Sequence, residues 1–195
     1  MTIFNNTRLT NDVFKIDIKR MRKGWYSDKY FENIGAMLST LAEQKYLFNG
    51  KALRLGDIDL SKTKTGNIEV EMQWFTRRKG KVVVAGVDKA LTVLRHCCGY
   101  FNGKGKFINT WKRMEIEAVH DGATVTYGGD PTKVQPVLRV RGRYRDFALL
   151  ETPTLGLLTR SSRVATNVYE TLMAANGKQV LFFPARFDLH EVQAS

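Results

Sequence analysis

Arg139, Arg141, Arg143 and Arg145 alternate with Leu138, Val140, Gly142 and Tyr144. In an extended strand side chains alternate faces with a period of two, so the four guanidiniums fall on one side. A guanidinium is planar, permanently charged and fits a phosphate with two parallel hydrogen bonds, so such a face can hold an anion. The same row also suits a solvated edge strand, where charge blocks unwanted pairing. Together with Trp74, Phe75 and Trp111 these arginines would form a basic, aromatic module able to hold single-stranded nucleic acid by charge and stacking. No RNP, KH or helix-turn-helix signature accompanies them. His96, Cys97 and Cys98 are consecutive, and one turn of helix cannot aim all three at one ion. They read as two reduced thiols in a helix beside a histidine with no metal role.

The charge supports an anionic partner, either nucleic acid or a phosphorylated small molecule. The net charge is +12. Residues 1–150 carry 27 Lys and Arg against 15 Asp and Glu, whereas residues 151–195 carry four of each. A solvated basic face is the plainer explanation of the same numbers. With 43% hydrophobic and 26% charged residues, the 195-residue chain has the apolar material for a real core. No apolar run approaches the length of a membrane span, and the start lacks the basic and apolar regions of a signal peptide. The expectation is a cytoplasmic protein.

The elements that must position these residues follow from periodicity. Tyr30, Phe31, Ile34, Met37, Leu38 and Leu41 recur at helical spacing, which predicts a helix over 28–48 with Ser27 or Asp28 as its cap. Residues 49–67, with three glycines, read as loop. Ile68, Val70, Met72 and Trp74 then alternate with Glu69, Glu71 and Gln73, a strand. Arg77–Gly80 reads as a hairpin turn into a second strand over 81–87, and Asp88 as the cap of a helix to about Cys97. Strands over 113–119 and 123–127 flank a His120-Asp121-Gly122 turn. Thr152-Pro153 opens a second long helix, with Leu155, Leu158, Val164, Ala165, Val168, Leu172 and Ala175 on its apolar stripe and Gly177 at its end. Lys178–Pro184 reads as a buried strand of a parallel sheet. The fold class is therefore α+β over 1–150, leading into the first helix and strand of an incomplete β/α barrel over 151–195.

Four segments, in this order, resemble the type II phosphoribosyltransferases, the group of nicotinate, nicotinamide and quinolinate enzymes. Ser27-Asp28-Lys29-Tyr30-Phe31 is similar to the Thr-Asp-x-Tyr segment of the nicotinate and nicotinamide enzymes, which the quinolinate enzymes lack. Glu69–Leu94 looks like the strand-hairpin-strand of the amino-terminal domain. Glu151–Asn167 resembles the helix leading into the barrel, where a Glu, a Leu-x-x-Leu and a Ser-x-x-Ala-Thr recur. Phe182–Gln193 lies where the family has a barrel strand followed by Phe-Gly-x-Arg.

The resemblance implies transfer of a phosphoribosyl group from phosphoribosyl pyrophosphate to nicotinate, with Mg²⁺ and, in the complete enzyme, ATP. It implies that Tyr30 stacks on the pyridine across a homodimer interface and that Phe187 stacks from the other side. Tyr30 could instead be core on its helix, and Phe187 a buried anchor of its loop. The chain departs from the pattern at Asp188, where the family has Gly, and at His190, where it has a phosphate-contacting Arg. Arg186 is a candidate for the missing charge, and His190 is either a substrate-binding residue or a loop histidine. The resemblance further implies that the phosphoribosyl pyrophosphate site and the histidine phosphorylated by ATP lie beyond residue 195. The chain alone is then expected to lack turnover, whether as a truncation, half of a split enzyme or an excised domain, and to work as a homodimer or with a partner chain carrying the rest of the barrel.

Overall fold

The structure, a computed structural model, describes residues 8–9, 13–51 and 53–183. A short helix α1 (Ile18–Arg22) is capped by Asp17, whose carboxylate accepts from the Arg20 N–H. Helix α2 (Lys29–Glu43) follows from its apolar periodicity, but its stripe is narrower than the sequence predicts. Phe31, Gly35 and Leu38 are buried, whereas Tyr30 and Met37 are more than half exposed. The two lie about 100° round the helix from the buried line, so they flank the stripe rather than belong to it. The expected loop that follows holds a minimal hairpin, β1 (Arg54–Leu55) with β2 (Ile58–Asp59).

The remaining strands are β3 (Glu69–Phe75), β4 (Gly80–Val83), β5 (Gly99–Phe101), β6 (Phe107–Asn109), β7 (Glu115–Ala118), β8 (Thr124–Tyr127) and β9 (Pro136–Arg143). Helix α3 (Val87–Cys97) lies between β4 and β5, and helix α4 (Glu151–Ala175) closes the described fold. The antiparallel order is β3-β9-β7 in one sheet, β4-β8 in a second and β5-β6 in a third. An α+β fold is thus what the chain builds. Its core joins Trp74, Val82, Val125, Leu138 and Val140 of the strands to Val87, Ala90, Val93 and Leu94 of α3 and Leu158 of α4.

Two local pairings differ from the sequence reading. β3 and β4 form no hairpin with each other, nor do β7 and β8. Neither connecting segment is a two-residue Asn-Gly type turn, which is what binds adjacent strands locally. Residues 76–79 instead carry the chain from one sheet to the next, with Arg78 donating to Asn167 Oδ1 at 2.9 Å and Glu170 Oε2 at 2.8 Å on α4. His120-Asp121-Gly122 also links two sheets, and Asp121 takes the role the sequence gives to Asp88. Its carboxylate accepts from the N–H groups of Val87, at 2.8 Å, and Asp88, at 3.2 Å, at the start of α3. Asp88 itself is buried against Arg8, 2.8 Å away.

The arginine row is not an edge. β9 is the central strand of its sheet; Arg141 lies opposite Glu71 of β3 and Glu115 of β7, and Arg139 lies opposite Gln73 of β3 and Glu117 of β7. Arg139 pairs with Glu117 at 3.0 Å and Glu71 at 3.2 Å, and Arg141 pairs with Glu71 and Glu115. Three glutamates answer two arginines, so this face offers no free positive charge to a phosphate. Trp74 is buried and closed to a stacking base. Both observations count against the nucleic-acid module.

Helix α4 begins at Glu151, one residue before the expected cap, and ends at Asn176 in the left-handed conformation. Its expected apolar stripe stays largely outside, with Leu155, Val164, Val168 and Leu172 exposed. The face that docks is hydroxylic. Thr166 Oγ1 accepts from the Val83 N–H at 3.0 Å, and Ser162 Oγ accepts from the Ala85 N–H at 3.1 Å. These hydroxyls satisfy the edge of β4 that no strand covers, in place of a ladder. Gly86, at φ +89°, allows the approach, because a Cβ there would lie 2.8 Å from the Leu157 carbonyl oxygen of α4. Residues 178–183 form no strand, and Phe182 and Phe183 are exposed. An apolar run needs a neighbouring strand to form a ladder, and none pairs with it among the described residues. No helix among them is long and apolar enough to cross a membrane.

Asp121→Ala removes the acceptor for two N–H groups at the start of α3. It is expected to lower stability by about 1–2 kcal/mol, read from urea unfolding. An unchanged midpoint would show that Asp121 does not hold this helix.

Candidate functional site

The N-termini of α2 and α4 meet. The Asp28 N–H donates to Thr152 Oγ1 at 3.1 Å, and the Thr152 hydroxyl donates to Asp28 Oδ2 at 3.2 Å. This reciprocal pair fixes the first turn of one helix against the first turn of the other, across 124 residues of sequence. Tyr30 stands beside it, 54% exposed, with its ring centroid 4.1 Å from that of Phe31. Its phenol is held above the ordinary value, first by partial desolvation and then by the charges of Glu151 and Asp28. The ring is therefore neutral at physiological pH and open on one side, which suits it to stack on a flat partner.

Tyr144 and Glu151 complete the cluster. Burial raises both, and in each case a neighbouring charge adds to it: Glu151 acts on the phenol of Tyr144, and Asp28 acts on the carboxyl of Glu151. Glu151 also closes one end of a cleft of about 670 Å³ between β3 and α4. The cleft has an apolar floor that includes Trp74, Val82 and Leu158, and its cations are Arg77, Arg78 and Arg163. The Trp74 indole nitrogen is buried without a hydrogen-bond partner. The cleft thus joins an apolar floor to three guanidiniums, of which Arg78 is already engaged by Asn167 and Glu170.

Of the residues that the sequence singles out for substrate, the structure places Tyr30 at this junction. Phe187, Arg186 and His190, with Asp188, lie outside the described residues. Thr152 and the cleft were not singled out. A threonine before proline reads as a helix cap, and only the tertiary bond to Asp28 reveals its second use. Cys97 and Cys98 are free and buried where α3 ends. Burial pushes the Cys97 thiol up to about 11, against a smaller opposing pull from Arg22, and raises Cys98 as well. Neither is an activated nucleophile.

The fold and this geometry can now be set beside known proteins. The model of the family described as "Quinolinate phosphoribosyl transferase, N-terminal domain" matches residues 57–162, more than half of the chain. The chain belongs to this family. The matched span runs from the β1–β2 turn to Ser162, so it holds the cleft except Arg163 and one of the two docking hydroxyls of α4, but neither Thr166 nor Tyr30. Among solved structures, the nicotinate-nucleotide pyrophosphorylase of Pyrococcus furiosus shares the fold, with a TM-score of 0.58 at 19% identity. The alignment covers 98% of this chain and 37% of that one, so the chain spans well under half the length of that protein. No curated protein matches the chain. The likeness to type II phosphoribosyltransferases drawn from the sequence thus holds at the level of the group.

Two measurements follow. Glu151 is raised from 4.5 by burial and by Asp28, so the folded state holds its proton more tightly than the unfolded chain. That contribution to stability is full below the unfolded value and is lost as pH rises through the folded one. Glu151→Gln is therefore expected to be more stable than the parent at neutral pH and to lose this advantage in acid. An advantage that does not change with pH would contradict the assignment. Neither cysteine should react with a thiol reagent in the folded protein at pH ~8, and both should react in denaturant. Rapid labelling of the native chain would refute their burial.

Proposed function

We propose that this chain is the amino-terminal part of a phosphoribosyltransferase of NAD biosynthesis that acts on nicotinate. The observation that carries the choice of nicotinate is Tyr30. It belongs to the Ser-Asp-x-Tyr segment that resembles the nicotinate and nicotinamide enzymes, and it is exposed rather than packed into the core. The family match and the name of the fold neighbour support phosphoribosyl transfer in pyridine-nucleotide synthesis, and the choice of nicotinate over quinolinate rests on Tyr30 alone.

In this reaction the pyridine nitrogen attacks C1 of phosphoribosyl pyrophosphate as the bond from C1 to the pyrophosphate oxygen breaks. Positive charge grows on the sugar and negative charge on the leaving group. The protein's task is to hold a flat ring in line with C1 and to surround the phosphates with cations. Tyr30 supplies one stacking face and Phe187 the other, with Tyr30 reaching the ring across a subunit interface. Arg186 and His190 are the proposed contacts to substrate near Phe187. Magnesium neutralises the leaving pyrophosphate when bound. Mg²⁺ and ATP belong in this proposal to the complete enzyme. The partner is a second copy or a chain carrying the rest of the barrel. Residues 1–150 would form the amino-terminal domain and residues 151–195 the entry to the barrel.

Phosphoribosyl transfer is measured with nicotinate, nicotinamide and quinolinate, with Mg²⁺ and ATP, for this chain alone and with the product of the adjoining reading frame. Nicotinate is expected to be the preferred acceptor in the mixture. Tyr30→Ala should raise the KM for nicotinate about tenfold, from the loss of a stacking face. Preference for quinolinate would move the protein to the other branch of the group. Absence of transfer to any of the three would reject the proposal.

A further inference from the structure

We propose that the pocket between α2 and the β5–β6 hairpin is an anion site for one phosphoryl group of a small phosphorylated molecule, with Arg145 as its principal ligand. The case begins with an imbalance of charge. The Asp146 side chain is fully buried, and Arg143 spends two donors on one of its oxygens, Nη2 at 2.6 Å and Nε at 3.0 Å from Oδ2. Arg145 is nine-tenths buried, at 10% exposure, and comes no nearer than 3.9 Å to the other oxygen. Its Nε is buried with no acceptor. Two guanidiniums thus share one carboxylate: Arg143 takes Oδ2, while Oδ1 has no hydrogen-bond partner and lies beyond bonding reach of Arg145, leaving one positive charge in excess. Both lie against Tyr100, with centroid distances of 5.5 Å for Arg143 and 4.6 Å for Arg145. A ring face attracts a cation without cancelling its charge. An under-paired buried charge is costly, and a ligand anion is one way in which such a charge is balanced.

Arg145 lines a pocket of about 520 Å³ whose other cations are Arg22 and Lys23. Arg22 is held in place by two bonds to the His96 carbonyl oxygen, at 2.9 Å and 2.7 Å. The one acid in the lining, Glu32, is paired with Lys29 at 2.6 Å. Lys23 is in no ion pair among the described residues. Gly35 and Ala36 of α2 and Gly105 of the hairpin leave space between these charges, and the volume suits a small organic phosphate. Lys104 and Lys106 flank Gly105 and add to the positive field. Planar guanidinium to phosphate is the strongest of the available pairings. This site does not rest on the phosphoribosyl reading and is not formed by the residues assigned to it.

The test is a titration of the full chain with inorganic phosphate and with glycerol 3-phosphate at low salt, by calorimetry and by amide shifts. Saturable binding is expected, with shifts at Gly99, Tyr100 and Gly105. Arg145→Gln should weaken it about tenfold and Lys23→Ser about threefold. Lys23 makes no structural bond through its side chain, so its variant keeps the test valid if Arg145→Gln perturbs folding. No saturable binding by either probe, affinity unchanged in Lys23→Ser, or shifts gathered instead around Arg77 and Arg78 would overturn the proposal. Binding of a single-stranded oligonucleotide through these residues, without binding of either phosphate, would also overturn it in favour of nucleic acid.

Discussion

The contact on which most else depends is the docking of two helix hydroxyls on a strand edge. Among the described residues β4 has a partner strand on one side only. On its other side, Ser162 and Thr166, one turn apart on α4, accept from the backbone N–H groups of Ala85 and Val83. A buried backbone donor left without an acceptor would cost free energy comparable to a lost hydrogen bond. The Ser-x-x-Ala-Thr pattern therefore has a structural meaning here: it is the spacing that lets a helix stand in for a strand. Fixing α4 at this edge sets its N-terminus against Asp28, opens the cleft beside β3 and places Glu151 between the two.

Electrostatics divides the arginines of β9 and of the turn that follows it into two classes. Arg141 lies opposite glutamates on both neighbouring strands and Arg139 opposite Glu117 with a diagonal contact to Glu71, an arrangement that fixes register more than it stabilises, because each pair is partly exposed. Arg143 and Arg145 turn inward at the end of the strand, where one buried carboxylate serves both. The strongly basic character of residues 1–150 is thus neutralised on the sheet face and concentrated elsewhere. The charge that matters for recognition is the part that the fold leaves unanswered.

Much of the fold is legible in the residues. The alternation from Ile68 to Trp74 and from Val137 onward gives the strands, and the helical spacing after Asp28 and after Thr152 gives the two long helices. The pairing of strands is not legible, because β3 with β9 and β4 with β8 are contacts between distant segments, and no local turn chemistry announces them. The apolar stripe of α4 misleads for a related reason. Periodicity marks which residues could be buried, and here Leu158 docks together with the hydroxyls that meet the edge of β4 while most of the stripe stays outside. Tyr30 shows the same limit of pattern reading. Its spacing allows it on the core stripe of α2, and only the three-dimensional position of Phe31, Gly35 and Leu38 shows that the stripe passes it by. The likeness of the Ser-Asp-x-Tyr segment to the nicotinate enzymes had to come from the chain itself, because the family match begins after it.

The central functional claim is that an exposed, neutral tyrosine at the junction of two helix N-termini meets the pyridine of the substrate. The most direct measurement is an NMR titration of the protein with ring-labelled tyrosine, alone and with the product of the adjoining reading frame, against nicotinate in the presence of phosphoribosyl pyrophosphate and Mg²⁺. Stacking predicts a saturable upfield shift of the Tyr30 ring, absent with a non-aromatic carboxylate. A Tyr30 resonance that stays fixed while nicotinate is bound and turned over would contradict the account.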